Sequence, residues 1–425
     1  MKEDSSMFSQ SGAPASTTQQ SAELPPWGET RVLGKRLPRV DAYDRVSGSA
    51  LYARDMALPG MIHAAIVRCP LAHARVKRID TSAAEKMPGV LGIITGDVPA
   101  AKIPWYSGEK GPLSWLFDPH CRHEGEEVAA VAAETLEQAC DAARAIKVEY
   151  EKLHFVADYD AALKPGAPLV YESGNKPGAP SVYERGDLAA GFAAADVVLE
   201  QTYSTPTQIH TPMEVHGSVA QWDGDHLTVW DSSQGVFTRR GELCQAFKLP
   251  QSSVRVVSHY MGGGFGSKLE LGKYTAVAAI FARMTGRPVK CCLTREETFL
   301  VAGNRPANTI VLKAGVKKDG TLTALEARLR GTVGAYPEGS TSGYQITDLY
   351  LCPNVRTEEQ DIFINAGKSR PFRAPGFPQC GWALEQMMDA LAEKLGMDPL
   401  ELRLKNIPTV SQARKNIPYT STGLR

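Results

Sequence analysis

The sequence predicts an α+β chain of two domains, and three observations predict it. At 425 residues the chain exceeds the roughly 250–300 residues at which a single hydrophobic core stops growing. The stretch PGAPLVYESGNKPGAPSVYERGD, from Pro165 to Asp187, is dense in Pro and Gly without periodicity and reads as the linker between the domains. On both sides of it, runs alternating at period two are interspersed with segments at helical period, the pattern of sheets and helices packed together.

Each element can be justified in order. Residues 1–30 are rich in Ser, Thr, Gln and Pro, bury too little apolar surface to offset chain entropy, and are expected to form an extended or disordered arm. Residues 38–155 form the first domain, with MIHAAIV and VAAVAA as strands and TLEQACDAARAI as one amphipathic helix. The second domain covers residues 165–425. Within it SVAQW and LTVWD flank Asp223-Gly224-Asp225, while TIVLKAGV and TLTALEARL flank Asp319-Gly320, and both read as antiparallel hairpins. Between them KYTAVAAIFARMTG is apolar nearly all round and ends at Gly286, as a buried helix with a glycine cap would. Thr294 with Glu297 is a capping box. Leu384, Met387, Met388, Leu391 and Leu395 share one helical face that stops at Gly396, and Asp398-Pro399 opens another helix. The methionine pair reads as core packing rather than as a ligand pair.

Composition excludes several function classes. Lys plus Arg equals Asp plus Glu at 47 each, so there is no basic field for nucleic acid. No apolar run is long enough to span a membrane, and the first residues lack an export signal, so a cytoplasmic location is the default expectation. A partner carrying its own signal would make it periplasmic. The eight cysteines, at 69, 121, 140, 244, 291, 292, 352 and 380, contain no C-x-x-C, which excludes a zinc ribbon or iron–sulfur framework in this chain and fits buried thiols.

The densest chemical signal is MGGGFGSK, with glycines at 262, 263, 264 and 266 around Phe265. Neither phosphate template fits, because Ser267 precedes Lys268 where a P-loop needs Lys then Ser or Thr, and a dinucleotide fingerprint would need Gly at 267. A loop this bare points to backbone amides lying against a bulky, flat, polar ligand, with Phe265 as a wall. Gln234 follows a strand in DSSQGVF, and Arg370 and Arg373 sit in the Pro- and Gly-broken loop SRPFRAPGFPQCG, a setting suited to an anionic or carbonyl-bearing ligand. His210 and His216 are spaced wrongly for a helical zinc pair and read as structural.

In order along the chain, GMIHAAIVRCPLAHARVKRIDTS, HEGEEVAAVAAETLEQACDAA, TPTQIHTPMEVHGSVAQW, MGGGFGSK and SRPFRAPGFPQCGWALEQMMDALAEKLGMDPLELRLKN closely resemble the molybdenum-binding subunit of the xanthine dehydrogenase and aldehyde oxidase family of molybdenum hydroxylases. The resemblance runs from about Pro38 to Asn406. It implies an α/β hammerhead domain followed by the first of two molybdopterin-binding domains. It also implies that the backbone around Gly263, Gly264 and Phe265 lies against a molybdopterin centre, the cytosine dinucleotide form being expected. Molybdenum would be held by the pterin dithiolene, Gln234 would hydrogen-bond one of its oxygen ligands, and Arg373 would flank pterin and substrate. The implied chemistry is oxidative hydroxylation of an aldehyde or N-heteroaromatic carbon with oxygen from water. Electrons would leave through iron–sulfur and FAD partner subunits.

Three departures qualify the resemblance. Xanthine-type members carry a substrate-binding acid directly after the Lys, whereas this chain has Leu269, with Glu270 one position later; purine specificity is not expected. Carbon monoxide dehydrogenases carry Cys where this chain has Ala374. The family's second molybdopterin domain, with its Gly-x-Gly-Glu base, has no counterpart before the final YTSTGLR, so the catalytic glutamate is expected on a second chain or a further C-terminal half. Two alternatives stay open: a non-catalytic remnant or assembly partner without cofactor, and a reductive member resembling 4-hydroxybenzoyl-CoA reductase.

Overall fold

The computed structural model describes residues 29–108, 111–420 and 423, and the expected N-terminal arm lies almost wholly outside the described residues. The described residues divide into two compact units, one ending at Ala50 and the other starting at Leu51. In the first, the short helix Ala42–Ser47 ends at Gly48 in the left-handed region.

The second unit opens with β1 (Ile62–Arg68), β2 (Val90–Thr95), β3 (Glu127–Ala133) and α1 (Leu136–Ala145). It continues with β4 (Ser181–Arg185), β5 (Val197–Thr205), β6 (Gly217–Asp223), β7 (His226–Asp231), α2 (Val236–Phe247) and β8 (Val254–Val257). Then follow α3 (Lys273–Thr285), β9 (Val289–Cys292), α4 (Arg295–Val301), β10 (Asn308–Val316), β11 (Leu322–Gly334), β12 (Asn354–Phe363), α5 (Phe377–Leu395) and α6 (Pro399–Lys405). Both predicted hairpins are antiparallel pairs, β6 with β7 and β10 with β11.

The larger sheet has the order β8-β7-β6-β9-β1-β3-β2. Strands from either side of the Pro- and Gly-rich stretch therefore share one sheet, joined where β1 runs parallel to β9, with Ile62 opposite Val289 and Ala64 opposite Cys291. Every residue of β3 is buried, because both faces of the sheet are covered. Ala130 and Ala132 face the core that holds α3, while Ala129 and Val131 face the core beneath α1. Such a strand reads as a continuous apolar run for the same reason that parallel-sheet strands do. Residues Lys273 to Ala282 of α3 are all buried, and the helix stops at Gly286, as its apolar periphery predicts.

The smaller sheet, in the order β5-β10-β11-β12-β4, packs its apolar side against α5. Leu384, Met387, Met388 and Leu391 are fully buried there against Ile310, Leu312 and Leu329, which makes the methionine pair core. The capping box at Thr294 and Glu297 and that at Thr135 and Gln138 both form.

One correction concerns the linker. The stretch read as aperiodic from Pro165 to Asp187 contains β4, which pairs antiparallel with β12 from Ser181 opposite Glu359 to Arg185 opposite Val355. The Pro and Gly density ends at Pro180, and the five residues that follow are too few for a periodicity scan to separate from a turn. Upstream, the buried Asn175 side chain donates to Ala162 O and Pro168 O and accepts from Val170 N, so this segment is tied down by hydrogen bonds. No helix among the described residues is long and apolar enough to cross a membrane, and all eight cysteines are free thiols.

Two tests follow from this packing. Leu384→Ala should cost about 2–5 kcal/mol, from lost transfer energy plus the cavity left behind, read as a lower denaturation midpoint. The second concerns His73 and His120, whose Nε2 atoms lie 2.9 Å apart while His73 Nδ1 lies 2.6 Å from His154 O. A carbonyl only accepts, so His73 Nδ1 carries the hydrogen and His120 Nε2–H donates to the bare His73 Nε2. Burial, then the nearby Arg122, His73 and Arg75, push His120 down to about 4. Its neutral form is the folded one, so this contribution is complete above the ordinary histidine pKa and is lost as pH falls through the folded value. The thermal midpoint should therefore drop between about pH 6.5 and 4, and His120→Gln should flatten that part of the curve.

Candidate functional site

The site is assembled by one topological fact. β7 and β8 run parallel, with Leu227 opposite Val254 and Trp230 opposite Val257, and α2 is the crossover between them. Parallel neighbours end on the same edge of a sheet, where α/β proteins place ligands. The turn after β7, carrying Gln234, and the loop after β8, carrying Gly262 to Gly266, are therefore brought together.

The Gln234 side-chain Oε1 accepts from Gly266 N at 2.7 Å and Lys268 N at 3.2 Å, and its backbone N–H donates to Lys268 O at 3.0 Å. The carbonyl end of the carboxamide is thus engaged inside the protein, and its NH2 end remains as the donor of an exposed residue. The arginine loop joins from the other side. Arg373 N donates to Phe265 O at 2.9 Å, and Arg370 reaches Ser267 O at 3.2 Å with its guanidinium. Arg373 and Ala374 are both exposed and both have positive φ, at 27° and 65°, a conformation that non-glycine residues adopt at a cost of order 1–3 kcal/mol.

The glycines are bare mainly because protein crowds them. A Cβ on Gly264 would meet Gln234 Oε1 at 2.4 Å, and one on Gly266, whose φ is 112°, would meet Pro371 O at 1.8 Å. One on Gly262 would meet Glu214 Cβ at 2.5 Å. The close approach that the sequence assigned to a ligand is thus made at these positions by the protein itself. What is left for a ligand is the row of donors: the amides of Gly263, Gly264 and Phe265 make no hydrogen bond among the described residues. Gly264 is buried, and a buried amide is nearly always satisfied by something. Gly263 and Phe265 have φ of 91° and 55°, the kind of turn whose amides converge on an anion or an oxo group. Phe265 stands beside them at 40% exposure.

The remaining predicted residues fall into place unequally. Leu269 is exposed, but the neighbouring Glu270 is engaged with Lys368 at 3.1 Å and Arg370 at 3.5 Å. Burial works against its charge, yet Arg370 and Lys368 prevail and hold its carboxyl below the usual range. Glu270 therefore does not replace a free substrate-binding acid. Both histidines are backbone props, His210 on Pro371 O at 2.8 Å and His216 on Ser267, and burial lowers the pKa of each. Sequence reasoning missed Arg305, which is buried, stacks over Phe372 and donates to Phe372 O and Arg373 O. It also used Lys268 only to reject a template. No local signal marks either residue, since their partners lie far along the chain.

A bare amide row, a carboxamide donor and an exposed arginine on one sheet edge suit a ligand rich in oxo or other acceptor atoms. A family model described as the molybdopterin cofactor-binding domain matches residues 172–407. Another, described as the aldehyde oxidase and xanthine dehydrogenase a/b hammerhead domain, matches residues 47–154.

The chain belongs to the xanthine dehydrogenase and aldehyde oxidase family.

It is 37% identical over 379 residues to a probable xanthine dehydrogenase subunit of Bacillus subtilis, an alignment covering 87% of this chain and 50% of the relative. It is 33% identical to the nicotinate dehydrogenase large molybdopterin subunit of Eubacterium barkeri, covering 88% of this chain and 89% of that subunit. Among solved structures, quinoline 2-oxidoreductase from Pseudomonas putida 86 superposes with a TM-score of 0.84 at 29% identity, covering 89% of this chain and 51% of that one. The chain thus spans about half the length of the Bacillus and Pseudomonas proteins. The hammerhead and molybdopterin-binding architecture expected from sequence is that of the family.

Gly266 is the sharpest probe of the site. Gly266→Ala places a methyl group into Pro371 O and strains a positive φ, so the glycine and arginine loops should separate. The expected result is a loss of about 1–3 kcal/mol with faster amide exchange in both loops, whereas Gly241→Ala, on open space within α2, should stabilise by about 0.5–1 kcal/mol and leave exchange in both loops unchanged.

Proposed function

We propose that this chain is the molybdopterin-binding part of a molybdenum hydroxylase that oxidises an aldehyde or N-heteroaromatic carbon. The observation that carries the reading is the unpartnered amide row from Gly263 to Phe265, flanked by Gln234 and Arg373. The residues fit the group: the amides and the Gln234 NH2 would hold oxo and pterin acceptors, Phe265 would pack on a flat ring, and Arg373 would face an anionic or carbonyl group.

When bound, molybdopterin, here as the cytosine dinucleotide, supplies two-electron oxidation with oxygen taken from water. The protein residues do the rest. The Gln234 NH2 orients its acceptor because its Oε1 is fixed by two loop amides, and the exposed Arg373 orients substrate. Leu269 and Phe265, both exposed apolar side chains, would give the substrate an apolar surface, which favours a non-purine substrate. The general base, a glutamate of a second molybdopterin-domain chain or a further half, and the iron–sulfur and FAD subunits complete the reaction. A cytoplasmic complex is the simplest setting.

The test is to purify the chain with its natural partners and assay molybdenum, pterin and turnover of aldehydes and N-heteroaromatics. Stoichiometric molybdenum is expected, and Gln234→Ala should lower turnover by about a hundredfold, with a thermal midpoint lowered only by the loss of its two hydrogen bonds to Gly266 N and Lys268 N. A metal-free complex with intact partner subunits would instead establish a cofactor-free assembly role.

A further inference from the structure

We infer that Lys268 and Glu214 are positioning residues: a buried ion pair strapped across the glycine loop that sets the height of Gln234 and of the bare amides. The inference rests on the molybdopterin reading only for what the loop holds.

Glu214 grips both ends of the loop. At the first end, Glu214 N donates to Gly262 O at 3.0 Å and Glu214 Oε2 accepts from Gly262 N at 2.8 Å. At the other, Lys268 Nζ donates to Glu214 O at 2.9 Å and to Oε2 at 3.1 Å. Ser232, from the turn that carries Gln234, donates its hydroxyl to the same Oε2 at 2.6 Å. One carboxylate oxygen thus ties together the start of the loop, its end and the neighbouring turn.

The Lys268 backbone passes that constraint to Gln234. Lys268 N donates to Gln234 Oε1, and Lys268 O accepts from Gln234 N and from the Arg239 guanidinium at 3.2 Å. Arg239 is itself held in a fully buried pair with Asp231 at 2.6 Å. Two buried ion pairs, reached from β7, α2 and the segment before β6, therefore converge on one residue of the loop.

The charges cost something to bury. The Lys268 side chain is fully buried and that of Glu214 is 7% exposed, while Glu214 Oε1 has no partner among the described residues. Burial pushes the Lys268 ammonium below its usual value, with Glu214 opposing. Such pairs are frequently no more stable than an apolar substitute and are retained where a geometry has to be unique. The geometry here is that of a loop with four glycines and no regular structure to hold it.

The strap is tested by amide hydrogen exchange on the full chain. Lys268→Met, and the charge-neutral double variant Glu214→Gln with Lys268→Met, should speed exchange at Gly262, Gly266 and Lys268 by about tenfold or more while α3 stays protected. Leu384→Ala, destabilised elsewhere, should leave these amides at the wild-type rate. In the purified complex both strap variants should lose molybdopterin content that Leu384→Ala retains. Wild-type exchange rates in the double variant would overturn the strap. Accelerated exchange in the strap variants, with a wild-type complex that never contains molybdopterin, would support the strap and refute the cofactor reading.

Discussion

Everything at the candidate site depends on the parallel pairing of β7 with β8. Had the two strands run antiparallel, their following turns would lie at opposite ends of the sheet, and Gln234 could not reach the amides of Gly266 and Lys268. Because a parallel pair needs a crossover, α2 lies between them and supplies Arg239, whose guanidinium closes on Lys268 O. One backbone arrangement therefore generates the site's edge, its carboxamide and one of its anchors.

Charge buried beneath that edge fixes what the strands alone leave loose. Glu127 illustrates the principle away from the site: buried between Arg68 at 2.8 Å and Lys273 at 3.2 Å, it is held down to about 2 despite the cost of burial. That cluster joins β1, β3 and the first residue of α3, so the helix that follows the glycine loop starts at a fixed place. The loop itself is bounded by Lys268 with Glu214, and the arginine loop by Glu270 with Lys368 and Arg370. Irregular backbone here is held by ion pairs and hydrogen bonds where a helix or sheet would hold itself.

The fold was largely legible because its signals are local. Asp223-Gly224-Asp225 and Asp319-Gly320 mark their hairpins, Gly286 and Gly396 end their helices, and Thr294 with Glu297 caps another. Short range also explains the failure at Ser181–Arg185, where five residues of strand follow a Pro- and Gly-rich run and gain their identity only from β12. The exposed Gln234, Phe265, Leu269, Arg373 and Ala374 could be nominated from motifs, but not the hydrogen bonds that fix the Gln234 Oε1 and the Arg373 amide.

The sequence by itself determined the periodicities, the turns and the bareness of the glycine loop, since these are carried by residues within a dozen positions of one another, and it determined the family through the order of such motifs along the chain. Only the tertiary structure decided what the glycines approach. Gly262, Gly264 and Gly266 are crowded by Glu214, Gln234 and Pro371, residues between 30 and 105 positions away in the chain, and the open donors are the amides between them. Which contacts a loop makes depends on what the sheet brings beside it, and strand direction and burial, not residue type, settle that.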